Sequence, residues 1–326
     1  MYYINACSTI SNQSSFKNND WVSNIELLAT NSELISPDYK QFIDASDLRR
    51  MSKIIRMGIV CSKDCLEQSG INNPDAIIIG TGLGCLTDTE KFLKNTLTIE
   101  GLIPPTSFIQ STHNTIAGQI SLALKNHKYN NTHTQNNLSF EHALLDATLC
   151  LNEGLTDVLV GAADEKISLL DELVEEFGYE NFKNKLTEGA SFFMVSNVKN
   201  KSSKAQLIDC LTIGLNRANP KTIIEDFLVN HNLTLENIDL ILFASNGTID
   251  NNEVINDLKP VVVLSFENYC GYYNTNIAFG MHMAVDMLNG EGNKLINNSK
   301  PLKHILLYNN LLNNSIGLTL IKSIEA

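Results

Sequence analysis

The sequence predicts an α/β fold built from two similar halves. Three observations predict it. Ser111–Glu165 reads as one α/β unit: a short polar turn at Asn136–Phe140, a helix over Glu141–Glu153 with Ala143, Leu144, Ala147 and Leu151 on one apolar face, and an apolar β run, Val158–Val160, ending at Gly161. Asp75–Gly84 (DAIIIGTGLG) is a buried β run followed by a glycine turn. Leu66–Gly82 and Leu228–Gly247 share one order of helix end, polar link, Asp, β run and Gly turn, as a duplicated half requires.

The remaining elements follow along the chain. Tyr2–Ile10 alternates as a first strand, and Asn18–Ser46 is irregular, anchored by Trp21, Leu27 and Leu28. A helix over Asp47–Gly70 has Asp47 as its N-cap and Met51, Ile54, Ile55, Ile59 and Cys65 on its apolar face. The G-x-G after the second β run lacks the third glycine and the acidic residue of a dinucleotide site. Helices follow at Asp88–Leu97 and Asn114–Leu124, with a loop at Pro104–Gln110 between them. The second of these helices carries Ile116, Ile120, Leu122 and Leu124 around more than one face, so part of it should face a partner. The polar, β-prone strand near Asn131–Gln135 is poor as a free edge. Leu169–Lys185 is an acidic helical stretch. Val261–Ser265, a turn at Gly271, a helix over Ala278–Leu288, and strands His304–Asn309 and Gly317–Ile321 complete the second half.

Composition excludes several classes. The 326 residues suffice for one large or two small fused domains; 43% hydrophobic is ordinary for a globular chain and 18% charged is low. A formal charge of −12 argues against nucleic acid or an anionic membrane as partner. No run of about 18 apolar residues predicts a membrane span, and the start, MYYINACSTIS, does not read as a signal peptide. The seven cysteines show no zinc-finger spacing and are expected as free thiols in a reducing cytoplasm.

Four segments carry a resemblance. DVLVGAADE (Asp157–Glu165), RRMSKIIR (Arg49–Arg56), NTIAGQIS (Asn114–Ser121) and LTEGASFFMVSN (Leu186–Asn197) resemble the β-ketoacyl synthases of the thiolase superfamily, and the likeness extends over nearly the whole chain. The resemblance implies a thiolase-like α-β-α-β-α five-layer sandwich with two pseudo-symmetric halves, residues 1–197 and 198–326. It also implies where the chemistry should sit. Such enzymes place a nucleophilic Cys in the turn before a helix, whose N-terminus carries about half a positive charge and stabilises a thiolate or oxyanion. Counting back from DVLVGAADE without a gap, that Cys falls on Asn137. The two histidines of the family fall on Asn246 and Tyr272, its lysine on Glu267, and its glycine-rich gate on Tyr308–Gly317. An amide is no nucleophile, so the covalent step has lost its atom, and the donors for the enolate are gone with it.

What remains is a set of degenerate positions, Asn137, Asn246, Glu267 and Tyr272, expected as one hydrogen-bonded polar cluster. The implied substrate-facing residues are His113, Asn114, Phe140, Cys270 and Asn310. Cys270 with His282 of the following helix offers a rebuilt nucleophile; the plainer reading makes Cys270 an apolar turn residue and His282 a packing residue. Arg49 and Arg50 are read either as an acyl-carrier docking patch or as a solvated helix start. The resemblance implies a non-catalytic subunit of the chain-length-factor type. It would pair with an active β-ketoacyl synthase and an acyl carrier protein in fatty-acid or polyketide biosynthesis of the aryl polyene or flexirubin kind, in the cytoplasm and without cofactor or metal. The alternatives are a condensing enzyme or acyltransferase with a rebuilt site, and a homodimeric acyl-binding or scaffold protein. The expected dimer pairs strands across the face Ser111–Gln135, and a charge at Ile120 is expected to break it without unfolding the protomer.

Overall fold

The computed structural model describes residues 1–30, 32–178, 182, 185–214, 219–244, 256–297, 300–311 and 315–324. The first half contributes strands β1 (Tyr2–Ile10), β2 (Ala76–Gly80), β3 (Tyr129–His133), β4 (Asp157–Asp164) and β5 (Gly189–Ser196). Its helices are α1 (Ala45–Leu48), α2 (Lys53–Ser69), α3 (Leu86–Thr98), α4 (Pro105–Gln110), α5 (Thr115–Leu124), α6 (Ser139–Asn152) and α7 (Ser168–Glu176). The second half contributes β6 (Ala205–Ile213), β7 (Leu240–Ala244), β8 (Val262–Ser265), β9 (His304–Leu311) and β10 (Ser315–Ser323), with α8 (Pro220–Val229), α9 (Glu267–Cys270) and α10 (Ile277–Leu288).

The strands run β3-β2-β4-β5-β1-β6-β10-β9-β7-β8. Read outward from the centre, each half repeats one order: β1-β5-β4-β2-β3 and β6-β10-β9-β7-β8. The pairing senses repeat as well, parallel at β2–β3, β2–β4, β7–β8 and β7–β9, antiparallel elsewhere. The halves join through a short seam, in which Tyr2, Tyr3 and Ile4 pair with Leu207, Gln206 and Ala205. A side-chain detail repeats too. Asp75, one residue before β2, accepts from the backbone N–H groups of Thr156 (2.9 Å) and Asp157 (3.2 Å), where β4 begins. Asp239, one residue before β7, accepts from Lys303 (2.7 Å) and His304 (2.9 Å), where β9 begins.

Three hydrophobic clusters make the layers. Side chains alternate across a strand, so Ile77, Ile79, Leu159 and Phe192 face outward onto α2 and α5. Ala76, Ile78, Val160 and Phe193 face inward onto α6 and α10, which Leu240, Leu242, Ile305 and Leu307 cover from the other side. Ile241, Phe243, Leu306 and Leu318 face outward onto Ile224, Phe227 and Leu228 of α8. The order is helix, sheet, helix, sheet, helix, the thiolase-like arrangement. Among the described residues no helix is long and apolar enough to cross a membrane.

Several sequence expectations are corrected. Asp47 is not the cap of the long helix. It lies within the short α1, and α2 starts at Lys53 with Ser52 extended at the N-cap position. Arg49 and Arg50 therefore sit in the break between helices, because the apolar repeat that drives α2 begins only at Ile54 and Ile55. Pro104–Gln110 is not a loop throughout: Pro105 opens α4, since its fixed φ and missing N–H suit the first helical turn. The acidic helix α7 ends at Glu176. β6, central to the second half, is absent from the elements the sequence predicts, because AQLIDCLTI is only partly buried. Ile120 is fully buried, against Gly58 of α2, whereas Leu122 is 65% exposed. The free face of α5 is the Leu122 face.

Candidate functional site

The site begins where β3 gives way to α6. Asn136 takes the left-handed conformation (φ 50°), which an asparagine tolerates better than most residues. A 3-10 turn over Asn136–Leu138 then leads directly into α6, so Phe140 belongs to the helix rather than to the turn. The Ser139 hydroxyl donates back to the Asn136 carbonyl (2.6 Å) and accepts from the Gln135 N–H (2.8 Å). Gly80 of β2 admits this turn: a Cβ there would collide with the Ser139 carbonyl. Asn137 thus stands buried at the N-terminal end of a central helix.

Its side chain and backbone both meet Asn309. Asn137 Nδ2 donates to Asn309 Oδ1 (3.2 Å), and Asn309 Nδ2 donates back to the Asn137 carbonyl (2.9 Å). Asn309 Nδ2 also reaches Glu141 Oε1 (2.7 Å), in the first turn of α6. Glu141 is 1% exposed, and its Oε2 is buried without a hydrogen-bond partner among the described residues. Burial pushes its carboxyl up to about 7, against the pull of the Asn309 bond. Gly317 of β10 makes room for it, since a Cβ there would collide with Glu141 Oε1. Neither Asn309 nor Glu141 was singled out from the sequence. Both leave a trace there: Glu141 falls next to the apolar stripe of its helix, where an unpaired charge is costly, and Asn309 shares the inward face of β9 with Leu307.

Of the other degenerate positions, Glu267 and Tyr272 sit at the start of α9 and just after its end. Asn246 is outside the described residues. Glu267 begins α9 and accepts from Asn276 Nδ2 (3.2 Å). Tyr272 follows α9. Its N–H donates to the Lys185 carbonyl (2.7 Å), and its ring packs on Phe182 at 4.9 Å. Burial, together with the charges of Glu267 and Asp164, pushes its phenol well above the usual range. Cys270 is fully buried and its thiol donates to the Gly271 carbonyl (3.3 Å). Burial and the Glu267 charge raise it far above a reactive thiol.

His282 is engaged away from Cys270. Its Nδ1 meets the Thr9 hydroxyl at 2.8 Å, its Nε2 lies 3.4 Å from Asp286, and its ring packs on Trp21 (5.4 Å). Desolvation holds this imidazole down at about 3. His113 is exposed with its ring over Gly84, and Asn114 is exposed just ahead of α5. Phe140 is buried on Phe193 (5.6 Å), and Asn310 is buried on β9.

Beside Asn136 opens a cleft of about 450 Å³. Its apolar wall is made by Leu83, Leu173, Val174, Phe177, Phe182 and Tyr272. α7 roofs it, and no residue of that helix is fully buried. At its floor Asp164 accepts from the Thr81 hydroxyl (3.0 Å), the N–H groups of Gly82 (2.9 Å) and Leu83 (3.1 Å), and the N–H (3.0 Å) and hydroxyl (2.8 Å) of Thr275. Glu165 accepts from the N–H (3.0 Å) and hydroxyl (2.9 Å) of Thr87. Among the described residues no cluster of three or more His, Cys, Asp or Glu side chains is placed to hold a metal ion.

Comparison with known proteins adds the following. Residues 19–204, more than half of the chain, match the family model described as beta-ketoacyl synthase, N-terminal domain. No curated protein matches the chain. Among solved structures, "the ishigamide ketosynthase/chain length factor" superposes with a TM-score of 0.77 at 12% identity, covering 99% of each chain. A type II polyketide synthase acyl-carrier protein complexed with its hexaketide-bound ketosynthase gives a TM-score of 0.77 at 15% identity, again over 99% of each chain. The ketosynthase ApeO in complex with its chain length factor ApeC, from Xenorhabdus doucetiae, gives a TM-score of 0.52 at 16% identity, over 71% of this chain and 90% of that one.

Proposed function

The chain belongs to the beta-ketoacyl synthase family, and on that premise we propose that it is a non-catalytic ketosynthase-like subunit of the chain-length-factor type. In this reading it pairs with an active β-ketoacyl synthase, engages an acyl carrier protein, and serves a fatty-acid or polyketide pathway of the aryl polyene or flexirubin kind. One observation carries the reading. The position on which an ungapped count places the family's nucleophilic Cys is Asn137, whose amide nitrogen donates to Asn309 and whose backbone carbonyl accepts from it. Nothing at that atom can attack a thioester. The cleft beside Asn136 supports the acyl part of the reading, since its walls are apolar and its volume suits a medium-length chain.

The rebuilt-enzyme alternative finds no support in the geometry: the Cys270 thiol and the His282 ring are committed to separate partners. The test is intact-mass measurement after incubation with an acyl thioester, for this protein alone and with a ketosynthase encoded beside it. No adduct on this chain is expected in either sample, and acylation of the partner alone in the second. A stoichiometric acyl shift on this chain would overturn the proposal.

A further inference from the structure

The cleft under α7 joins apolar walls to an acidic floor. Asp164 and Glu165 both line it, and among its described lining residues none is Lys, Arg or His. Each carboxylate is held by backbone and hydroxyl donors, five hydrogen bonds on Asp164 and two on Glu165, which stabilise the charged form without adding a countercharge. Two described ammonium groups near it are committed elsewhere. Lys53 lies 2.5 Å from Glu188 and Lys166 lies 2.9 Å from Asp171, and both line a separate polar pocket on the other side of Leu186 and Thr187. Lys53 offsets part of the charge on Glu165 without entering the cleft. A chain lying along Leu173, Val174 and Phe182 would bring its polar end within the field of two acidic groups, one of them only partly offset, in a partly desolvated site where like charges repel strongly.

We propose that Asp164 and Glu165 make this cleft selective, admitting an acyl chain whose end is uncharged and rejecting the free fatty acid. The inference rests on reading the cleft as an acyl site. It adds a filter: a hydrolysed, released chain cannot compete for the space that a chain still held as an ester or thioester occupies.

The test is displacement of the neutral fluorescent probe N-phenyl-1-naphthylamine from the full-length protein at about pH 8, chosen well on the alkaline side because burial raises both carboxyls above the ordinary carboxylate range. The competitors are methyl decanoate and decanoate. The ester is expected to compete at concentrations at least about tenfold lower than the acid, the scale of one like-charge contact in a partly desolvated site. Free acids also partition less into any apolar space, so the decisive readout is Glu165→Gln. This variant keeps an oxygen for Thr87, and it should narrow the gap several-fold, improving decanoate more than the ester. In the unaltered protein, added sodium chloride should narrow the same gap by screening. A gap that neither Glu165→Gln nor salt changes would overturn the filter while leaving acyl binding intact. Failure of the ester to displace the probe at all would overturn the acyl reading of the cleft itself.

Discussion

Glu141 shows how much a single buried carboxyl can weigh. Its folded pKa is raised by burial from 4.5 to about 7. The sign follows: the folded state holds the proton more tightly, so the favourable contribution is complete below about pH 4.5 and is lost as pH rises through about 7. The loss is on the order of 3 kcal/mol, because each tenfold difference in proton affinity between the folded and unfolded states is worth about 1.4 kcal/mol. Glu141→Gln keeps an acceptor for Asn309 and removes the ionisation. Denaturant melts at several pH values should show a flatter profile for the variant, with its gain over the natural protein appearing above neutral pH.

Asn137→Cys addresses the neighbouring position. It introduces a sulfur but leaves Asn309 Oδ1 without its amide donor, and on the proposed reading Tyr272 stands where the family has an imidazole. Loss of one oxyanion donor costs roughly 10²–10³ in rate. Condensation by this variant alone should stay at least that far below an active ketosynthase, and measurable turnover near that level would reveal donors elsewhere. The turn that carries Asn137 was legible in the sequence because a strong strand motif twenty residues on fixes the count. Asn309 was not, because its partner is 172 residues away.

At the scale of elements, period and apolar content located most helices and strands within a few residues, and failed where other forces decide. α5 reads as apolar all round, yet the sequence alone does not say which apolar face meets its own α2. Ile116 and Ile120 pack beside Gly58, where the absent side chain lets the helices approach, and Leu122 is left outside. A charge at Ile120 would therefore unfold the protomer rather than separate subunits. The informative variant is Leu122→Asp. If α5 and the edge strand β3 face a partner, light scattering should show the assembly falling to protomers with the circular dichroism spectrum unchanged. A dimer that survives Leu122→Asp would place the interface elsewhere. β6 was missed for a different reason: its partly buried, alternately polar residues look like linker until β1 and β10 pair with it.

At the scale of the molecule, the duplication was visible as a loose echo between Leu66–Gly82 and Leu228–Gly247, and the structure gives that echo a physical form. Asp75 and Asp239 hold the starts of β4 and β9 through matching pairs of backbone bonds. The two halves are also tied across their boundary. Asp164 of the first half holds Thr275 at the entrance to α10, and Asn309 of the second half holds Asn137 and Glu141 at the entrance to α6. Each half supplies the polar groups that the other half's central helix needs at its start. The chain between β5 and β6, by contrast, is a short surface crossing. A backbone opened there would yield two polypeptides with complementary, mutually required ends, so that regaining the native fold from separately produced pieces becomes a reporter of their encounter, and this pseudo-symmetric scaffold a starting point for a split protein.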